Sequence, residues 1–117
     1  FELCLVTYSN FSKKNLLDIP DNILVSYGAV SKEVATLMST NILKKYSDKK
    51  NCVSVSCTGV AGPGGQSRKK PIGTAFFSFT YKNKNKTFKK NFINSNRQLI
   101  RIKAIDFMVK TLIDIIK

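Results

Sequence analysis

The run Val53-Ser54-Val55-Ser56-Cys57-Thr58-Gly59-Val60-Ala61-Gly62-Pro63-Gly64-Gly65, followed closely by Lys70-Pro71-Ile72-Gly73-Thr74, constrains this chain more than any other stretch. β-Branched residues fill the run up to Thr58, which favours an extended, largely buried strand. Four of the chain's six glycines then fall between Gly59 and Gly65. Glycine loses the most backbone entropy on ordering, so the cluster suits a place where φ must be positive or where something approaches the main chain closely. The segment therefore reads as strand, glycine loop, strand. It matches neither the GxxxxGKS/T nor the GxGxxG phosphate pattern. Two readings stay open on the glycines alone: a flexible crossover, or successive N–H groups forming an anion nest or oxyanion hole.

Length and composition bound the rest. A chain of 117 residues, 43% of them hydrophobic, is read as one domain with a modest core. It starts at Phe1 on an apolar run, Leu3-Cys4-Leu5-Val6, and is expected to be cut from something longer. No apolar stretch reaches membrane-span length and no signal-peptide pattern is present, so a cytoplasmic location is the expectation. Cys52 and Cys57 stand an odd distance apart on one expected strand and point to opposite faces, which makes neither a metal pair nor an obvious disulfide. With no histidine, a zinc site or a Ser-His pair is not expected.

Read in order, Glu2 to Thr7 is expected as a buried strand, Tyr8-Ser9-Asn10 as a turn, and Asn10 as the cap of a helix from Phe11 to about Leu17. Lys13 falls in the first turn of that helix, where the dipole disfavours its charged form and would help lower its pKa if it were also buried. Beside Lys14, a solvated lysine is the alternative. A short helical piece from Asp21 to Ser26 is closed by Gly28, and Ser31 caps a longer helix with Val34, Leu37, Met38, Ile42 and Leu43 at helical spacing. Lys44, Lys45, Lys49 and Lys50 read as its solvated C-terminal end. Gly73 to Tyr81 places Ala75, Phe77, Phe79 and Tyr81 on one face and Phe76, Ser78 and Thr80 on the other, as in a central strand. Lys82-Asn83-Lys84-Asn85 reads as a hairpin connection, and Lys86 to Ile93 as an edge strand guarded by lysines. Asn94-Ser95-Asn96 supplies caps for a last helix, roughly Arg97 to Ile116, whose stripe of Leu99, Ile102, Ile105, Val109, Leu112 and Ile116, widened by Met108 and Ile113, is assigned to the core. Arg97 and Arg101 stand one turn apart at its N-terminal end, an unfavourable place for cations unless an anion binds there.

Taken together, Thr7-Tyr8-Ser9-Asn10 with Lys13, Gly28-Ala29-Val30-Ser31, Thr58 to Gly65, Lys70 to Thr74, and Arg97 with Arg101 resemble the C-terminal domain of the competence/damage-inducible protein CinA, over essentially the whole chain. That family includes stand-alone nicotinamide-nucleotide amidases. The resemblance implies a three-layer α/β/α sandwich with a central mixed sheet, residues 1–117 forming a single domain that lacks the family's first strand and helix. It implies hydrolysis of nicotinamide mononucleotide to nicotinate mononucleotide and ammonia, with no metal and no cofactor. Similar members use a serine activated by a lysine, and Lys13 matches the lysine of the family's Tyr-Ser-Asn-x-x-Lys motif. Tyr8 is implied at the site beside it. By the same carry-over Arg97 is the candidate for the substrate phosphate, the N–H groups of Gly59, Gly62, Gly64 and Gly65 are candidates for the oxyanion or phosphate, and Asn10 and Thr58, within the matched motifs, are substrate-side candidates.

The departures from the family pattern bear on activity. The Glu-Ser-Cys-Thr-Gly-Gly stretch and a further serine pair do not occur in this sequence, so the nucleophile is expected upstream of Phe1 and the activity impaired. Cys4 stands where glycine is common, and Ser95-Asn96-Arg97 replaces a usual Gly-Asp-Arg. Ser9, Ser12, Ser54 and Ser56 are the serines weighed as substitutes. The alternative reading is a non-catalytic CinA-like module that binds nucleotide or oligomerises, a homo-oligomer being formed through an exposed sheet edge.

A formal net charge of +13 invites a nucleic-acid role through counterion release. Nearly all of that charge is Lys, with Arg68, Arg97 and Arg101 as the arginines, and it accompanies Asn and Ile as an AT-rich coding sequence would produce. Specific readout favours Arg with aromatic stacking. Neither a specific nucleic-acid partner nor a membrane is expected. Duplex DNA binding, measured by fluorescence anisotropy, should be weak, independent of sequence and lost steeply between low and physiological salt; tight, sequence-selective binding at physiological salt would overturn this.

Overall fold

The computed structural model describes residues 1–48 and 51–117. Its elements are α1 (Asn10–Leu17), α2 (Asp21–Tyr27), α3 (Lys32–Tyr46), β1 (Val53–Gly59), β2 (Thr74–Tyr81), β3 (Lys84–Asn91) and α4 (Arg97–Ile116). The fold is mixed α/β. The expectation for Lys49 and Lys50 lies outside the described residues.

The strands pair in the order β1-β2-β3, and both pairings are antiparallel. Val55 sits opposite Phe79, and Cys57 opposite Phe77. The connection from β2 to β3 is two residues, Lys82 and Asn83, with φ of 50° and 62°. Positive φ at both central positions matches the right-handed twist of a tight hairpin, so the expected four-residue connection is shorter and the strand begins at Lys84. β3 carries Lys84, Lys86, Lys89 and Lys90 and is an edge strand, as its composition requires.

Alternation along β2 divides the molecule. Ala75, Phe77 and Phe79 face α4 and form a core with Phe88, Phe107 and Met108. The ring centroids of Phe77 and Phe107 are 4.8 Å apart, and those of Phe88 and Phe107 5.6 Å, within the range where tilted aromatic pairs attract.

The opposite face of the sheet meets α3 through hydroxyls. Ser39 of α3 is fully buried, with its Oγ 2.9 Å from Ser78 Oγ and 2.7 Å from Thr80 Oγ1. Asn85 Nδ2 donates to this cluster, at 2.8 Å to both Ser78 Oγ and Thr80 Oγ1. On β1, Ser54 donates to the Ser39 carbonyl, Ser56 to the Ala35 carbonyl at 2.6 Å, and Thr58 to the Ala29 carbonyl at 2.8 Å. Small side chains let the helix lie close on the sheet; Ser54 and Ser56 find acceptors on it, and Thr58 finds one just ahead of it. The far side of α3 holds a second core of Leu17, Ile19, Leu24 and Val34, which fixes α1 and α2.

Four expectations are corrected here. Glu2 to Thr7 does not form a strand, and among the described residues the sheet is antiparallel rather than mixed. The segment lies across a groove from β1 and has no ladder partner among the described residues. The cap of α1 is Ser9 rather than Asn10: its side chain accepts from Ser12 N while the Ser12 side chain accepts from Ser9 N, a reciprocal capping box. On α4, the stripe assigned to the core is largely exposed, with Ile102 at 55%, Ile105 at 56% and Val109 at 50% exposure. The face against the sheet is Ala104, Phe107, Met108 and Leu112, so that Met108 and Leu112 of the expected stripe do pack there while Ala104 and Phe107 lay outside it. A helix apolar on most of its circumference has two candidate faces, and the aromatic surface of β2 selects the one carrying Phe107.

Substituting Ser39 tests the hydroxyl seam. Ser39→Ala removes only the hydroxyl and leaves Ser78, Thr80 and Asn85 short of a partner, and should destabilise the fold by about 2–3 kcal/mol in urea unfolding. Unchanged stability would show that the seam contributes nothing net.

Candidate active site

Lys13 is the one lysine buried in this fold among the described residues, 6% exposed. The capping box starts α1 at Asn10 and turns Lys13 inward beside Leu17. Its Nζ donates to the Thr7 carbonyl at 2.5 Å, and burial holds its pKa below the ordinary lysine value. No carboxylate is hydrogen-bonded to the amine among the described residues. The alternative of a solvated lysine does not hold here; that description fits Lys14, which pairs with Asp21 at the surface.

Lys13 opens onto a groove of about 850 Å³ that also includes Tyr8, Thr58 and Gly59 among its walls. Tyr8 is 86% exposed on the rim. Thr58, at the end of β1, is buried with its hydroxyl spent on Ala29. A Cβ on Gly59 would stand 3.0 Å from the Thr74 carbonyl oxygen, so glycine lets β1 close onto β2 where the loop leaves.

The remaining candidates stand apart from this groove. Gly62, Gly64, Gly65 and Arg97 do not line it. Gly62 has φ of +77° and its carbonyl accepts from Arg97 Nη1 at 2.8 Å, so one arm of the guanidinium clamps the loop. Gly64 and Gly65 are exposed, Gly64 with open space around it. Asn10 is exposed in the first turn of α1. Arg101, one turn after Arg97, is exposed.

The base of the loop is fixed. Val60 N donates to the Thr74 carbonyl at 2.9 Å, Gly73 N to the Val60 carbonyl at 2.7 Å, and Phe92 N to the Gly73 carbonyl at 2.8 Å. At Gly73 φ is +96° and a Cβ would meet the Phe92 carbonyl oxygen at 2.4 Å, so only glycine fits. Lys70 Nζ donates to the Tyr27 carbonyl, pinning the loop to the end of α2. Sequence reasoning assigned no role to Lys70; its place in the Lys70-Pro71-Ile72-Gly73-Thr74 motif was the available signal. The loop is thus tethered at its base, at Lys70 and at Arg97, rather than a free crossover.

The four serines weighed as nucleophiles are all engaged. Ser9 and Ser12 bond each other and the Ser9 backbone in the capping box. Ser54 and Ser56 donate to α3 carbonyls. Cys57 is partly buried beside the groove, and burial raises its thiol to about 11, which keeps it protonated and unreactive at neutral pH. The arrangement can offer a desolvated amine and a strand-end glycine to a ligand. Among the described residues it holds no group of three or more metal-ligating side chains, and no helix is long and apolar enough to cross a membrane.

Comparison with known proteins places this geometry. The family model described as the CinA C-terminal domain matches residues 1–116. The chain is 36% identical over 111 residues to a protein named nicotinamide-nucleotide amidohydrolase PncC from Enterobacter agglomerans, covering 95% of this chain and 66% of that protein. A CinA-like protein from Prochlorococcus marinus is 34% identical over 93% of this chain, which spans only 24% of it. Among solved structures, the competence/damage inducible protein CihA from Agrobacterium tumefaciens superposes with a TM-score of 0.87 at 28% identity, over 95% of this chain and 66% of that one. A CinA superfamily protein from Enterobacter cloacae gives 0.86 at 26% identity, over 97% and 64%. The chain therefore spans about two thirds or less of these relatives, and it belongs to the CinA C-terminal domain family.

Proposed function

We propose that these residues form the lysine half of an amidase site acting on nicotinamide mononucleotide. The observation that carries the reading is the buried amine of Lys13, hydrogen-bonded to a carbonyl and opening onto the groove with Tyr8, Thr58 and Gly59. The likeness to a protein named nicotinamide-nucleotide amidohydrolase supplies the substrate class.

In the proposed reaction the free amine of Lys13 takes the proton of a serine hydroxyl as its oxygen attacks the carboxamide carbon. The carbon–oxygen bond forms and the carbonyl pair moves to oxygen, where backbone N–H groups at the start of the glycine loop stabilise it. Collapse breaks the carbon–nitrogen bond, and the proton on Lys13 passes to the departing ammonia. Water, deprotonated by the same amine, then cleaves the ester to release nicotinate mononucleotide and restore the serine. Desolvation matters because an amine with an ordinary lysine pKa would be almost wholly protonated at neutral pH and unable to start the sequence. Tyr8 on the rim is assigned to the substrate or the lysine, and Arg97, with Asn10 and the outer glycines, to the mononucleotide's polar end.

Because Ser9, Ser12, Ser54 and Ser56 are committed to the fold, the serine is assigned to the Glu-Ser-Cys-Thr-Gly-Gly segment that the resemblance implies for the family. That segment would also complete the three-layer sandwich and its mixed sheet.

The test is ammonia release from nicotinamide mononucleotide by residues 1–117 and by a chain extended at its N-terminus with that segment. The short chain should be inactive or nearly so, and the extended chain active. In the extended chain Lys13→Ala should lower kcat/KM by roughly three orders of magnitude or more, as loss of one member of a cooperating pair does. The active form of Lys13 is the neutral one, so kcat/KM of the extended chain should rise with pH and level off below the ordinary lysine value. Equal turnover by both chains, or full activity of Lys13→Ala, would refute the assignment.

A further inference from the structure

We infer that the cleft between β3 and α4 is a second ligand site: it takes a small aromatic anion, with the ring on phenylalanine and the anionic group between Lys90 and Lys103. The inference stands on residues apart from the Lys13 groove and is independent of the amidase reading.

The cleft follows from how α4 is seated. The helix packs over β2 and β1 and reaches the edge strand through Phe107, whose ring meets Phe88. Beside that contact an open space of about 420 Å³ remains, within the range of small-molecule sites. Phe92, Ile102 and Phe107 make its apolar lining, and both phenylalanines are only partly buried, so ring surface stays open to an occupant. The cleft lies at the border of the sheet opposite the groove beside β1, and the two share no lining residue.

The charges round the cleft are unbalanced. Lys90, Lys103 and Lys110 line it with a single acid, Asp106, and that acid is spent on Lys110 at 2.9 Å. Lys90 and Lys103 have no ion pair among the described residues, and each is held by an uncharged contact. Lys103 Nζ donates to Ser95 Oγ at 2.8 Å, and Lys90 Nζ lies over the Phe107 ring, 4.8 Å from its centroid. An ammonium carries three donors, so Lys103 keeps others for a ligand. Lys103 and Phe107 stand one turn apart on α4, so both cations border the same aromatic surface. A carboxylate or phosphate there supplies the missing counter-charge, while a ring beside it gains the aromatic contacts that Phe92 and Phe107 leave unused. Two other occupants fit poorly. Seven residues line the cleft, against roughly 20–30 a side in a stable protein interface. A second copy of this chain, at a formal charge of +13, would bring like charge to it.

The probe is 2-naphthoate, with 2-naphthamide as its uncharged counterpart and acetate as the charge without the ring. Binding is followed by the amide shifts of the ¹⁵N-labelled chain. 2-Naphthoate should move amides at residues 90–92 and 102–110. Both counterparts should bind at least about tenfold more weakly, since one loses the charged hydrogen bonds and the other the apolar burial. Lys90→Met and Lys103→Met keep most of the apolar stem and remove the charge, and each should weaken 2-naphthoate about fivefold or more. Lys69→Met, at an exposed loop position, changes the net charge equally and should leave the affinity within about twofold. Three outcomes would overturn the inference. Equal binding of either counterpart means that charge and ring are not recognised together. An equal loss with Lys69→Met means a general attraction to a basic chain. Shifts absent from residues 90–92 and 102–110, or centred on the groove beside β1, mean that the cleft is not the site. The comparison with 2-naphthamide uses the unaltered chain, so it decides the matter even where a methionine variant fails to fold.

Discussion

The hydroxyl seam between α3 and the sheet governs how the rest of the molecule is placed. Ser39 stands at its centre, in contact with Ser78, Thr80 and Asn85, while its carbonyl receives Ser54. A buried hydroxyl without a partner costs about 1–3 kcal/mol, so the seam tolerates one register of α3 on the strands and penalises the neighbouring ones. Once α3 is fixed, its outer face receives Leu17, Ile19 and Leu24, and with them α1 and α2. Lys13 is carried to its buried position by this chain of contacts rather than by any bond to the sheet.

That placement gives the amine its chemistry. A lysine in the first turn of a helix already sits against the positive end of the dipole. The fold then buries it and gives it a carbonyl, Thr7 O, as its hydrogen-bond acceptor. Among the described residues no carboxylate is hydrogen-bonded to it, and the neutral amine gains. The glycine loop leaves β1 at Gly59, beside the same groove, and is held by Gly73, Lys70 and Arg97, so its first amides keep a fixed relation to the strand end. Arg97 therefore has a structural duty as well as the substrate role assigned to it.

What was legible in the sequence was local. Ser31 and Asn96 cap α3 and α4 as their positions suggest, because a cap needs only a few adjacent residues. The alternation in β2 separated the α4 face from the α3 face, and the lysines of β3 marked an edge. What failed depended on distant partners. Glu2 to Thr7 has the composition of a strand, but a strand also needs a neighbour within hydrogen-bonding reach. The apolar residues of α4 offered two faces, and only the Phe77–Phe107 contact decides between them. Ser54, Ser56, Ser78 and Thr80 are buried, as a buried β1 and a central β2 require, but nothing local says that the cover is a helix rich in small polar residues. At the candidate site, Lys13 and Tyr8 came from a motif, whereas the burial that makes Lys13 useful is a tertiary fact.

The central claim is that burial lowers the proton affinity of Lys13. It is tested most directly by NMR titration of the lysine side chains in ¹³C,¹⁵N-labelled protein, with the Lys13 resonances assigned from Lys13→Arg and Lys14 as the exposed reference. The account predicts that Lys13 loses its proton at a pH clearly below that of Lys14. A Lys13 titration at or above the ordinary lysine value would contradict it.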